Sequence, residues 1–430
     1  MSASVNRRQF LETSADGAAA AWALSSQGAF AADSPNERVV VGVMGLSRGQ
    51  AIATGFAKLP NVEVKYVCDV DENRAGSCAK SVANIAGKSP EAITDFRRIL
   101  DDKDVDALAC AAPNHWHAPA TILACSAGKH MYVEKPCSHN PREGELMVEA
   151  ARKHKKAVQM GTQRRSADKT REAIQALHEG AIGRVYCARS YYNNARGSLG
   201  KGKEAPVPSY LDYELWQGPA PRMPYVDNRI HYNWHWFWHW GNGELGNNGV
   251  HALDICRWGL QVDYPTKVTS SGGRYVYDDD QQTPDTHIAI FEFPGEKQIS
   301  WQGLSCNRHP TNSGFVSFYG DKGSLELSGN GDYQLYDDRD KLVKDVKGTG
   351  VGEMDHFANF AAAIRDEKPL NLNAEIAEGH KSTLLCHLGN ISYRTGRMLT
   401  CDPKNGHIQG DEEAMQHWDR EYEPGWEPKV

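Results

Sequence analysis

The chain has no Cys-x-x-Cys pair, no apolar run long enough to cross a bilayer and no stripe of basic residues. The first absence excludes a zinc ribbon and a dithiol redox centre. Ten cysteines stand singly, several inside apolar runs as at Cys68 and Cys110, where a thiol behaves as a small buried hydrophobe. The second leaves no membrane span, which needs about 18 or more consecutive apolar residues. The third, with a net charge of −7, argues against nucleic acid as a partner. What remains is a globular composition: 430 residues, 40% hydrophobic and 24% charged, enough for two domains with separate cores.

Residues 1–32 read as an address. Asn6-Arg7-Arg8-Gln9-Phe10-Leu11 is a twin-arginine sequence, Ala18 to Leu24 is a weakly apolar run, and Ala29-Phe30-Ala31 offers a cleavage pattern. The expectation is a periplasmic or otherwise exported protein. The alternative is a loosely held tail on a cytoplasmic one, for which Glu12 and Asp16 speak. Export in the folded state would also bury the single thiols before they met an oxidising compartment.

Residues 38–163 alternate strand and helix and predict a doubly wound parallel α/β sheet of the Rossmann kind. An apolar strand from Val39 runs into a turn with Gly45 in the first place of a dinucleotide fingerprint, Ser47 in the second and Gln50 in the third, Gly49 being displaced by one. A helix, a second strand (62–68) and then Asp69 follow. That order lets backbone N–H groups approach a pyrophosphate at a helix N-terminus while the acid accepts from a ribose hydroxyl. A carboxylate at 69 repels a 2′-phosphate and so favours NAD over NADP, with Arg48 placed to soften the preference. Two more strand ends carry polar clusters, Pro113-Asn114-His115-Trp116-His117 and Glu134-Lys135-Pro136, and open α/β sheets bind ligands at such ends. A helix is expected over 118–127 and another after Asn140, its cap, with Pro141 in the first turn; 158–163 reads as a short strand.

Residues 164–430 predict an α+β domain with a large, open, mainly antiparallel sheet. A helix over 168–180 capped by Asp168 and a strand over 184–192 precede two hairpins, 286–293 with 298–303 and 315–319 with 324–327; helices over 354–365 and 374–394 close the domain. Between them His231 to Trp240 packs four tryptophans and three histidines into ten residues. Three readings stand: aromatic core, a sugar site in which Trp234, His235, Trp236 and His239 stack on the ring and read its hydroxyls, or a metal site in which His231, His235 and His239 share a helical face. No carboxylate completes the third set in place. The loop 194–208 reads as a border of the pocket.

The glycine turn with Asp69, then Ala-Pro-Asn-x-x-His ending at His117, then Glu134-Lys135-Pro136, then Gly161-x-Gln163 resemble in order and spacing the Gfo/Idh/MocA oxidoreductases, which include glucose-fructose oxidoreductase and inositol dehydrogenase. The resemblance extends from Val39 to about Arg397. It implies that Lys135 faces the nicotinamide and the substrate hydroxyl, that its bond to Pro136 is cis, and that Pro113, Asn114, His117, Glu134 and Gln163 surround the nicotinamide and its ribose. It implies too that one face of the large sheet covers the active site while the other buries itself in a homo-oligomer, a dimer or tetramer. His251 takes the place of the family's acid/base histidine. The family's Asp four residues earlier is here Asn247, which orients a hydroxyl but accepts no proton, and Glu244 is the nearest carboxylate in sequence. The function so implied is hydride transfer between a sugar or glycoside hydroxyl and NAD, with His251 as base and the Lys135 ammonium polarising the oxygen. An exported enzyme meets no soluble NADH pool, so a closed redox cycle is expected. The alternatives are an NAD-assisted glycoside-cleaving enzyme or epimerase, and a non-catalytic nucleotide sensor.

Overall fold

The computed structural model describes residues 38–307 and 315–430, so the twin-arginine stretch lies outside the described residues. Strand β1 (Val39–Met44) is buried along its whole length, the pattern of a parallel strand covered on both faces. With β2 (Val62–Cys68), β3 (Glu91–Ile93), β4 (Ala107–Cys110), β5 (His130–Val133) and β6 (Val158–Met160) it forms a six-stranded sheet in the order β3-β2-β1-β4-β5-β6. All its pairings are parallel. The strand order reverses between β1 and β4, which opens a crevice at their C-terminal ends.

Helix α1 (Gly49–Phe56) starts directly after the glycine turn, and α2 (Glu72–Ala86) is capped by the Asp71 carboxylate, which accepts from the Asn73 and Arg74 N–H groups. Past the short α3 (Arg97–Asp101), α4 runs from Asn114 to Ser126, four residues earlier than the sequence suggests. The polar and aromatic run Asn114-His-Trp-His, which reads as the end of a strand, forms the first turn of this helix. Helix α5 (Pro141–Lys153) begins as read, with Asn140 Oδ1 accepting from the Glu143 N–H at 2.9 Å.

After α6 (Asp168–His178) the chain builds a ten-stranded sheet. Its central pair, β7 (Val185–Ala195) and β10 (Lys297–Leu304), is parallel; the other pairings are antiparallel, as with β9 (Thr286–Phe293) and β12 (Val316–Gly320). Ala167, not Asp168, is the N-cap of α6: the Asp168 carboxylate is engaged by the Lys169 N–H and the Thr349 hydroxyl. Helices α8 (Val250–Leu260), after the short α7 (Tyr213–Gln217), and α10 (Ile376–Thr395) cover one sheet face and share its core with Phe291, Trp301 and Phe318. Helix α9 (Glu353–Arg365) instead turns back onto the parallel sheet, where Phe357 and Phe360 pack with Phe56. This segment from the second half of the chain thus completes the packing of the first. The aromatic stretch is a single 3-10 turn (Asn233–Trp236) within irregular chain, so its three histidines share no helical face.

Candidate active site

A cavity of about 370 Å³ runs along the C-terminal edge of the parallel sheet, from the glycine turn to the π turn Leu245–Gly249 that precedes α8. At one end Gly45 holds φ +83, and a Cβ there would sit 2.3 Å from the Ala112 backbone nitrogen. Only glycine fits a left-handed turn so close to another strand. The turn grips the acid of the next strand: Leu46 N–H donates to Asp69 Oδ2 at 2.6 Å and Asp71 N–H to Oδ1 at 2.9 Å. Burial pushes the Asp69 carboxyl up, while these two donors and the Arg74 charge hold it down.

Arg48 does not stand beside Asp69. Its Nε donates to Glu134 Oε1 at 3.1 Å and its Nη2 pairs with Glu353 of α9. Glu134 follows β5, three strands from β2, a separation of roughly 14 Å at the usual strand spacing. The guanidinium therefore serves the opposite end of the cavity, and the idea that it softens the preference for NAD is corrected.

At that opposite end the Lys135–Pro136 bond is cis. Lys135 Nζ donates to both the carbonyl oxygen of Asn247 (2.8 Å) and its side-chain Oδ1 (3.1 Å). Burial pushes the lysine pKa down; Glu134 opposes this and Arg48 adds to it. His251 sits in the first turn of α8 on the same cavity wall. Burial, followed by the charges of Arg164, Lys135 and Arg48, holds its imidazole well below the ordinary histidine range, hence neutral. The His117 ring nitrogens lie 2.6 Å from the Pro136 carbonyl oxygen and 2.8 Å from that of Ala112. This ring thus braces the wall through two carbonyls. Asn114 Nδ2 donates to Asn242 Oδ1 at 2.8 Å, while Asn242 Nδ2 donates to the His139 carbonyl and its own carbonyl accepts from Asn390 Nδ2, both at 2.9 Å.

The second half roofs the cavity. Asp212 N–H donates to the Val70 carbonyl and Glu72 N–H to that of Tyr210, while His231 Nε2 meets Asp71 at 3.0 Å. Trp234 and His235 line the cavity, stacked at 3.6 Å between ring centroids. Lys135, Asn247 and His251 line it too, but Trp236, His239 and Glu244, also assigned to substrate, lie elsewhere. Trp236 is a fully buried core side chain beneath the Arg196 guanidinium, at 4.7 Å. His239 turns away to the Pro221 carbonyl. Glu244 is buried and spent on Arg196, at 2.8 Å, and on Asn248, so it offers no carboxylate in place of the missing aspartate. Sequence reasoning missed Arg74 and Tyr232, both on the cavity wall with Trp116 of the Pro113–His117 cluster. Arg74 alone carried a signal, lying in the first turn of the helix after the acid.

Among the described residues no group of three or more His, Cys, Asp or Glu is placed to hold a metal ion. A dinucleotide fits the chemistry of the walls. The glycine turn gives backbone access at the start of α1, Asp69 faces the ribose end, and two buried polar atoms at the other end, Gln163 Oε1 and His251 Nδ1, have no partner among the described residues.

Residues 37–162 match a family model described as "Oxidoreductase family, NAD-binding Rossmann fold", and 191–292 match the same family's "C-terminal alpha/beta domain", together more than half of the chain. The chain belongs to the Gfo/Idh/MocA oxidoreductases. Its relatives include the levoglucosan dehydrogenase of Pseudarthrobacter phenanthrenivorans, 34% identical over 165 residues, 38% of this chain and 35% of that protein. A glycosyl hydrolase family 109 protein of Saccharopolyspora erythraea is 29% identical over 171 residues, 38% of this chain and 37% of that one. The chain thus spans little more than a third of the length of these relatives. A levoglucosan dehydrogenase solved with NADH and levoglucosan shares the fold at a TM-score of 0.66 and 19% identity, covering 84% of this chain and 99% of that one. Like other members of the Gfo/Idh/MocA family, the chain thus couples an NAD-binding Rossmann domain to a mainly antiparallel sheet.

Proposed function

We propose that this protein is an NAD-dependent dehydrogenase that oxidises a secondary hydroxyl of a sugar or polyol. The observation that carries the reading is the fixing of Lys135 Nζ by two oxygens of a single residue, Asn247, on the cavity wall that also bears His251. Bound NAD supplies the hydride acceptor; the chain's own residues handle the proton.

A tetrahedral amine held by two acceptors has one position left. In the ammonium it is an N–H and in the amine a lone pair, so Nζ can exchange a proton with a substrate oxygen without losing its anchors. Burial lowers the lysine pKa towards the range where such exchange is efficient. Asn247 assists by being neutral, since an aspartate there would hold the ammonium and raise that pKa. His251, neutral and pushed far down, is the weaker base; its task becomes hydrogen bonding to the hydroxyl. This moves the proton-accepting role, expected of His251 from the sequence, to Lys135. Trp234 and His235 supply a flat face and a polar edge for the ring.

Net dehydrogenation is one outcome. A second, oxidation followed by elimination of the glycosidic oxygen, addition of water to the resulting enone and return of the hydride to the same sugar, is favoured by the roof that second-half segments place over the cavity, and by the kinship with a protein named as a glycosyl hydrolase. A cofactor so covered, carried out in a folded protein by the signal proposed for residues 1–32, fits a closed redox cycle. The test is to denature the purified protein, identify any released nucleotide by mass and absorbance, and follow NADH and free sugar against a panel of sugars and glycosides. Bound NAD reduced by a sugar supports dehydrogenation; free sugar without net NADH supports cleavage. Absence of nucleotide, with none taken up on incubation, overturns both.

A further inference from the structure

Residues within 238–242 line a second cavity, of about 420 Å³. The start of α5, the C-terminal half of α10 and the tail at 417–421 complete it, and His239, which sequence placed against the substrate, faces this space. The lining sets Arg394 and Arg420 against Asp419 and Glu421, so it does not select a strongly charged ligand.

Its floor has a mismatched pair. Arg420 Nε donates to Glu143 Oε1 at 2.8 Å, and the other oxygen of that carboxylate accepts from the His139 backbone N–H, also at 2.8 Å. Arg420 Nη1 is left buried without a partner among the described residues. His139 Nε2 donates to the Trp238 carbonyl at 3.0 Å, which leaves the lone pair on Nδ1 buried and unmatched as well. Burial, then the Arg420 charge, keeps this imidazole neutral, so Nδ1 is an acceptor. One orphan donor and one orphan acceptor are thus tied to the same carboxylate. At the mouth the Arg394 guanidinium lies over the Trp238 indole, 5.2 Å from its centroid.

We propose that this cavity is a second saccharide site, taking a neutral sugar whose hydroxyl fills the Arg420–His139 pair while its C–H face packs against Trp238. A hydroxyl both donates and accepts, which suits the pair; inorganic phosphate mainly accepts and an ammonium only donates. An apolar face with polar edges is what a pyranose presents to an indole. The site uses neither Lys135 nor His251 and stands apart from the hydride-transfer reading.

The experiment is equilibrium dialysis of the full chain with D-glucose, myo-inositol and inorganic phosphate, on wild type, Lys135→Ala, Trp238→Ala and Arg394→Gln, with a crystal structure after a glucose soak. The expected result is sugar binding in Lys135→Ala that falls at least about tenfold when Trp238→Ala is added, turnover unchanged in Trp238→Ala alone, and weaker binding in Arg394→Gln. The proposal is overturned by phosphate binding as well as glucose, by binding indifferent to Trp238→Ala, or by ordered water alone on the pair in the soaked crystal. Turnover without any second-site binding would sink this inference only; second-site binding without hydride transfer from any sugar to NAD would sink the earlier reading only.

Discussion

The two ends of the long cavity are built on different principles. At the Asp69 end the grip on the acid comes from one short stretch: the glycine turn and the Leu46 and Asp71 N–H groups that hold the carboxylate lie within 45–71. At the Lys135 end the same task draws on distant chain: Asn247 is 112 positions from the lysine it holds, and Glu353 is 305 from Arg48. At the first end the grip on Asp69 needs only the local strand–turn–helix. The second exists only after both sheets and the returning α9 have docked.

The largest effect is expected at the second end. Lys135→Ala should lower kcat by about a thousandfold or more, the upper part of the range for a positioned proton carrier, while nucleotide is still recovered from the denatured protein. Turnover within tenfold of wild type would show that the anchored amine is not the proton acceptor. Next, Gly45→Ala at the first end should weaken NAD binding by about ten- to a hundredfold, the cost of a strained left-handed residue pressed on Ala112. A nucleotide titration checks this, and unchanged affinity would mean that the turn does not cradle the cofactor.

Asn247→Asp sharpens the contrast more finely. Oxidation requires the amine, so kcat/KM should rise with pH through the lowered pKa of Lys135 and level off above it. Restoring a carboxylate beside Nζ favours the ammonium, and the rising limb should move to higher pH by about one unit or more. A limb that stays in place assigns the titration to another group. Least, Asp69→Ser should narrow the preference for NAD over NADP by about tenfold in competition binding, with little change in the pH profile.

The same contrast explains what could be read in advance. Asp69 and the glycine turn were visible because their partners are sequence neighbours, and Asn140 was visible as a cap for the same reason. Lys135 and His251 came from family motifs; nothing in their own surroundings told which distant residue would hold them. Trp236, His239 and Glu244 were misplaced because spacing predicts direction only on a regular helix or strand, and 231–244 is mostly neither. Arg48 was read by its closeness to the turn, whereas charge pairing with Glu134 and Glu353 decided where it points. Strands such as β8 (Lys267–Gly273) were missed where Ser and Gly weakened the alternation.

Asn242 has a practical consequence for anyone who would reshape either chamber. Its side chain fastens Asn114 on one side and the backbone of His139 on the other, and its carbonyl is tied to Asn390. Trimming it to make room for a bulkier guest in the second chamber would release Asn114, which lines the first, so the two spaces can be remodelled only as a set.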